Sequence, residues 1–317
     1  MEIILQRLGT VEAAAVIGQD ELGLAIPAGS AFSGLLQQPA AALAVIGSLR
    51  KGRREREKHG LPVVIAPQPP EALAVVRRVA AEREAPLIEV GRDWHWRARG
   101  QAPDGQRLDV YPTEGIRGAS YADLRLPLLG IHQLENAATA VATLEVLRER
   151  GLTISDEALR AGLADVRWPG RFEILGRRPW VVVDGAHNIY SLERLLESIG
   201  AFLPHRRLIL VVGIGVTHSP RELLGVLLPA ATRVLTTRSR HVRATPPEEL
   251  AALAREAGHD ATVTGSVGEA VRAAVAEAHP DDLVLVTGSL FVVAEAREAW
   301  AEMQGLPPLP SDPPGAY

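Results

Sequence analysis

The sequence predicts an α/β protein whose C-terminal part is a doubly wound, mostly parallel sheet. Three observations point there. From Pro179 onward, short apolar runs alternate with amphipathic segments at intervals of roughly 25–35 residues, the rhythm of strand and helix in a layered α/β domain. The runs are continuously apolar, as in Leu208-Ile209-Leu210-Val211-Val212, which suits strands buried on both faces. Turns rich in small residues follow several of them, at 184–188, 213–215 and 287–290, where open α/β sheets bind their ligands.

Taken in order, residues 1–60 read as an atypical, degraded or truncated N-terminal segment. Small residues dominate 11–44 with weak periodicity, and 50–58 holds six basic and two acidic side chains, as a solvated face or a phosphate patch would. Residues 62–66 and 86–90 read as strands around a helix at 70–83, where Leu73, Val76 and Val79 share one face. The segment 94–126 alternates polar and apolar residues around Pro103-Asp104-Gly105 and reads as antiparallel strands with a turn. Trp94 and Trp96, two apart, share a strand face and suit either core packing or stacking on a ligand. A helix is expected at 136–150, and a shorter one follows Ser155 as N-cap, with Asp156 and Glu157 in its first turn.

The boundary to the last domain is placed at 177/178. Beyond it, strands are expected at 180–183, 208–213, 233–237, 262–264 and 283–287. Helices are expected at 191–202, 220–228, 247–258, 267–278 and 292–303. Residues 307–317 contain five prolines and read as a disordered tail.

Composition narrows the function. The chain has 317 residues, 47% hydrophobic and 23% charged, and no cysteine, so disulfides, thiolate metal sites and cysteine nucleophiles are excluded. With 34 basic and 38 acidic residues the net charge is −4, which gives no broad footprint for nucleic acid. No apolar run is long enough to span a membrane. A cytoplasmic, monomeric protein acting on small molecules is expected.

The candidate chemistry sits at the strand exits. Asp184-Gly185-Ala186-His187-Asn188 crowds an acid, two small residues, a histidine and an amide into one turn. The small residues allow close approach to the backbone; Asp184 can accept two ribose hydroxyls, and His187 can donate to an anion. Capping of the next helix is the plainer alternative for Asp184 or Asn188. Gly213-Ile214-Gly215 lacks the third glycine of a dinucleotide fingerprint, since residue 218 is His, and reads as a tight turn. Ser289, in Thr287-Gly288-Ser289-Leu290, is either a helix cap or a ligand contact. Arg171 stands in Trp168-Pro169-Gly170-Arg171-Phe172, a rigid turn, and suits a bidentate phosphate contact. Gly130-Ile131-His132-Gln133-Leu134-Glu135-Asn136 opens a helix with a polar cluster.

In this order, His132-Gln133, Asn136-Ala137-Ala138, Pro169-Gly170-Arg171-Phe172-Glu173, Asp184-Gly185-Ala186-His187-Asn188 and Thr287-Gly288-Ser289-Leu290 resemble the folylpolyglutamate synthase/dihydrofolate synthase family of the Mur-ligase superfamily. The resemblance runs over 60–302; where the family usually has proline after the Asn, this chain has Ile189. It implies that 61–177 is the remainder of a Mur-ligase-like central ATPase domain and 178–306 a C-terminal ligase domain. It also implies ATP and Mg²⁺ as cofactors, and ligation of L-glutamate to dihydropteroate or a folate through an acyl phosphate. By the same resemblance, Asn136, Arg171 and Asp184 contact ATP, His187 lies near the reacting phosphate, and Ser289 is on the glutamate side.

The family's phosphate loop, of the type Gly-Thr-Asn-Gly-Lys-Gly-Ser, does not occur here, nor does its Asp-His magnesium motif. Lys51 falls where the family has a lysine that can be carbamylated, but Arg50 replaces the expected Glu. Ligation by this chain is therefore expected to be impaired, with a non-catalytic binding module as the alternative. Arg171, Asp184 and His187 are expected to converge, within about 10–15 Å of each other, on one cleft between the two parts of the chain, since ligand sites favour domain interfaces and strand ends.

Overall fold

The computed structural model describes residues 14–17, 43–46, 60–216 and 219–309. The expectations for the basic run 50–58, Lys51, His218 and most of the tail lie outside the described residues. The chain divides into two units, Met1–Arg167 and Trp168–Tyr317.

In the first unit, β3 (Val63–Ile65), α1 (Pro70–Glu82) and β4 (Leu87–Glu89) form a strand–helix–strand unit with the two strands parallel. Pro70 opens α1 where first-turn N–H groups have no helical partner, so its missing donor costs nothing. Ala72, Val76, Val79 and Ala80 form the buried stripe. Two strands, β1 (Ala14–Ile17) and β2 (Leu43–Ile46), extend this sheet antiparallel in the order β1-β2-β3-β4.

The segment after it is the expected antiparallel meander: β5 (Trp94–Ala102), β6 (Gly105–Pro112) and β7 (Tyr121–Leu126), turning at Gly105 with φ +142°. Trp94 is buried in the core with Leu108, Val110 and Leu124, and Trp96 packs against the same cluster, so both serve packing. The remaining apolar wall comes from α2 (Ile131–Glu149) and α3 (Asp156–Ala164), the latter capped by Ser155 as expected.

The helix expected at 136–150 begins five residues earlier, at Ile131. The cause is tertiary. Buried Gln106 on β6 donates to the carbonyls of Leu128 and Gly130, at 2.8 and 2.9 Å, and so satisfies the backbone leading into the helix. Gly130 then turns into α2 with φ +113° and no side-chain cap. The polar cluster His132-Gln133-Asn136 therefore lies within the helix.

The second unit has one six-stranded sheet in the order β12-β11-β10-β13-β9-β8. β9 (Trp180–Val183), β10 (Leu208–Val212), β11 (Arg233–Thr236), β12 (Ala261–Val263) and β13 (Leu283–Thr287) are parallel to one another. The helices between them are α4 (Ile189–Phe202), α5 (Pro220–Leu227), α6 (Pro247–Glu256) and α7 (Val267–Glu277), and α8 (Leu290–Met303) follows β13.

The chain steps from β9 past the future place of β13 to β10, β11 and β12, then returns to insert β13. Right-handed crossovers put helices made in opposite directions on opposite faces. Accordingly α4 packs on α5 and α5 on α6, while α7 packs on α8. Val181, Val183, Ile209, Val211, Val284 and Val286 meet α7 and α8, and the intervening Val182, Leu210 and Leu285 are equally buried.

β8 (Glu173–Arg177) pairs antiparallel with β9 and closes the edge of the sheet. It moves the division between the units to Arg167/Trp168, ahead of the expected 177/178. Its sequence carries little strand signal: a bulge between Ile174 and Gly176 breaks the alternation, and Gly176 is needed because a Cβ there would lie 2.8 Å from the Trp300 ring.

Candidate functional site

At the carboxyl edge of the second unit's sheet, three strand exits are stitched together by backbone bonds. The Ala186 carbonyl accepts from Gly288 N–H at 3.1 Å and Thr287 Oγ1 at 3.3 Å, joining the β9 and β13 exits. Gly213 N–H donates to the Thr287 carbonyl at 3.3 Å, adding the β10 exit. Gly288 has φ +99°, and a Cβ there would sit 2.7 Å from the Gly213 carbonyl oxygen. Only glycine lets these backbones approach so closely.

A fourth segment joins them from the edge of the sheet. Gly170 takes φ +77°, its N–H donates to Glu173 Oε2 at 2.6 Å, and its carbonyl accepts from Gly185 N–H at 2.9 Å. Asp184 completes the union: Oδ2 accepts from Phe172 N–H at 2.7 Å and Oδ1 from Ala186 N–H at 2.8 Å. Arg171 therefore stands directly beside the Asp184 turn, with its guanidinium over the Trp168 ring, 5.4 Å from the centroid.

Three of the residues singled out from the sequence, Arg171, Asp184 and His187, thus meet on adjoining turns of one unit. Asp184 has a structural duty the sequence did not reveal. Each of its oxygens binds one backbone N–H. His187 Nδ1 lies 2.8 Å from the Gly185 carbonyl. A carbonyl only accepts, so Nδ1 carries a proton. Asn188 is the helix cap: its Oδ1 accepts from Ser191 N–H at 2.9 Å, and Ser191 Oγ lies 3.2 Å from the Asn188 amide, a capping box. Ser289 caps α8, its Oγ accepting from Phe291 N–H at 3.2 Å. Asn136 lies inside α2 of the first unit, where its amide donates to Gln133 Oε1 at 3.1 Å. His132 Nε2 is 3.0 Å from Gln133 Nε2.

The loop 237–245 belongs to this edge as well, and sequence reasoning missed it. It is held by Thr237 N–H to the Val212 carbonyl, Thr245 N–H to Ile214 and Val216 N–H to Arg243, each at 2.9 Å. His241 stacks on Phe291 with centroids 4.1 Å apart. The available signal was the density of cations in Arg238-Ser239-Arg240-His241-Val242-Arg243 directly after a strand. Gly213-Ile214-Gly215, expected as a tight turn, instead runs extended after β10 and bridges antiparallel to this loop at Ala244.

These turns carry two helix N-termini, those of α4 and α8, on one edge. The edge also holds an arginine fork, a carboxylate and an oriented imidazole. Such an arrangement suits an anion and a polyol together. Among the described residues, no group of three or more His, Asp or Glu side chains is placed to hold a metal ion, and no helix is long and apolar enough to cross a membrane.

Comparison with known proteins agrees with this geometry. Residues 170–290 match the Mur ligase, glutamate ligase domain. The chain is 41% identical over 176 residues to a probable bifunctional folylpolyglutamate synthase/dihydropteroate synthase of Halobacterium salinarum, covering 55% of this chain and 21% of that one. It is 32% identical over 248 residues to the dihydrofolate synthase/folylpolyglutamate synthase of Escherichia coli, covering 77% of this chain and 54% of the relative. Among solved structures, Mycobacterium tuberculosis folylpolyglutamate synthase complexed with ADP and AMPPCP superposes with a TM-score of 0.67 at 27% identity, over 78% of this chain and 55% of that one. Escherichia coli FolC in complex with DHPP and ADP gives 0.66 at 28% identity, over 78% of this chain and 56% of that one. The chain spans about half the length of the Escherichia coli relative and a fifth of the archaeal one. The turns shared by Arg171, Asp184 and His187 fall within the matched region: residues 170–290 form a Mur ligase, glutamate ligase domain, and the likeness to folylpolyglutamate synthase/dihydrofolate synthase enzymes extends through the first unit.

Proposed function

We propose that this chain acts in the ATP-dependent ligation of L-glutamate to dihydropteroate or tetrahydrofolate. The observation that carries the reading is the direct coupling of the Arg171 turn to the Asp184 turn through Phe172 N–H and Gly185 N–H. It sets a phosphate-binding fork beside a hydroxyl-binding carboxylate, the two functions a nucleotide requires.

ATP, when bound, supplies the phosphoryl group that converts a carboxylate, a poor electrophile, into one an amine can attack. The chain's own residues position and neutralise. Arg171 holds phosphate oxygens, and Asp184 accepts ribose hydroxyls. His187, oriented by the Gly185 carbonyl, attends the reacting phosphate end, and Ser289 attends glutamate at the start of α8. The donor set fits a nucleotide. Mg²⁺, when bound with the nucleotide, would offset the charge of its phosphates. Action as a monomer in the cytoplasm on small molecules is part of the same proposal.

A second reading, a module that binds nucleotide without ligating, is favoured by one observation. The sequence contains no run of the type Gly-Thr-Asn-Gly-Lys-Gly-Ser, the cradle that phosphoryl transfer uses in the family. The test incubates the full chain with ATP, Mg²⁺, labelled glutamate and either pterin substrate, and measures nucleotide binding in parallel. Saturable binding of ADP with ligation well below about 1 s⁻¹ is expected. Ligation at or above that rate would overturn the impairment, and failure to bind ADP would overturn the nucleotide reading.

A further inference from the structure

At the opposite, amino edge of the same sheet lies a cavity of about 670 Å³, lined among others by Arg177, Arg178, Trp180, His205, Arg206 and Asp281. Its walls come from three separate connections: the β8–β9 hairpin, the α4–β10 loop and the α7–β13 loop. β9 is four residues long, so this edge is roughly 13 Å from the Asp184 turn, at 3.3 Å per residue.

The charge here is unusual for this protein. The chain as a whole is net −4, yet the cavity gathers three arginines against one lining aspartate. Most other arginines of the unit are neutralised: Arg207, Arg221, Arg233, Arg240 and Arg272 each pair with a carboxylate. Among the described residues, Arg177 and Arg178 make no ion pair. Arg206 reaches only one oxygen of buried Asp282, at 3.4 Å, while Arg207 holds the other oxygen at 2.6 Å.

The aromatic and imidazole groups are fixed in place. Arg177 lies over the Trp180 ring, 5.8 Å from the centroid, and Trp180 Nε1 donates to the Pro204 carbonyl at 3.3 Å. His205 Nδ1 donates to the Leu203 carbonyl at 2.7 Å, which orients the ring. Like charges brought together from two connections, the β8–β9 hairpin and the α4–β10 loop, repel one another, and an anion with several charges relieves that repulsion. Guanidinium forks match phosphate and carboxylate oxygens alike.

We propose that this cavity is a second anion site, taking a small molecule with two or more phosphate or carboxylate groups, separate from the nucleotide-binding edge. The site does not depend on the ligase reading, because none of its residues takes part in it.

The test titrates the full chain by calorimetry with tripolyphosphate in one arm and citrate in the other. Saturable binding with a Kd of about 1 mM or tighter is expected in at least one arm, and the arm that binds identifies the anionic group preferred. The double variant R178Q/R206Q weakens that binding tenfold or more, whereas D184N, at the other edge, leaves it within about twofold. Both arginines are exposed and Arg207 retains Asp282, so the double variant keeps the thermal midpoint of the parent, which circular dichroism checks. No saturable binding in either arm, or binding that R178Q/R206Q leaves unchanged, overturns the proposal.

Discussion

Phe172 gives its backbone N–H to the Asp184 carboxylate across 2.7 Å, although it is itself held at φ +42°. An aromatic residue in the left-handed region is strained by about 1–3 kcal/mol, so neighbouring contacts must fix it there. They do: Phe172 is buried, meets Phe202 edge-on at 6.2 Å, and is flanked by the Gly185 to Gly170 backbone bond. Asp184 is thus a hinge pin for two turns as well as a candidate ligand contact.

This double duty separates two substitutions. Asp184→Ala leaves two backbone donors without acceptors and should cost about 1–3 kcal/mol in a urea unfolding curve. Asp184→Asn keeps one acceptor oxygen and should cost less. Both should weaken ADP binding tenfold or more in a titration. An Asn variant with parental affinity would remove Asp184 from the nucleotide contacts.

Arg171→Lys should leave the thermal midpoint almost unchanged, because the side chain is only partly buried, while ADP affinity falls about tenfold as a fork becomes a point charge. Equal affinities for ADP in the two proteins would show that no bidentate contact is made.

Two glycines of the site should respond differently to alanine. At Gly185 the added Cβ meets Leu290 Cδ2 at 2.3 Å, the tip of an exposed side chain that can swing away. At Gly288 it meets the Gly213 carbonyl oxygen at 2.7 Å, and φ is +99°. Gly288→Ala should therefore lose about 2–4 kcal/mol, and Gly185→Ala about 1 kcal/mol or less. Chemical denaturation of both variants provides the comparison, and equal losses would contradict it.

Two buried carboxylates set the response to acid. Asp282 is held well below the usual range, chiefly by the hydrogen-bonded Arg207 and also by His279 N–H, against the opposing effect of burial. Asp109 is lowered to about 2, first by the Asp123 N–H and then by Arg97. A depressed folded-state value means that the unfolded chain takes up protons first. The stabilisation is complete above the unfolded value of about 4 and is lost as pH falls toward the folded values. Unfolding free energy should drop between about pH 4 and pH 2, and Asp282→Asn should flatten that slope while lowering stability at neutral pH. A slope identical to the parent's in urea curves across this range would refute the assignment.

The sequence by itself determined the layered α/β class of the second unit, because continuous apolar runs and amphipathic segments record burial on two faces or one. It also marked Arg171, Asp184 and His187, because several polar types crowded into small-residue turns exceed what capping needs. Tertiary structure alone decided the rest. The start of α2 depends on Gln106 reaching the Leu128 and Gly130 carbonyls from β6, a contact between residues far apart in the chain. The edge strand β8 exists because β9 offers it an open ladder, and the bulge at Gly176 hides it from any period-two pattern. Asp184's grip on Phe172, the stack of His241 on Phe291 and the gathering of Arg177, Arg178 and Arg206 at the far edge join residues from different connections. Local propensity carries no record of such meetings. They follow only once the order of strands and the handedness of the crossovers have fixed which loops share an edge.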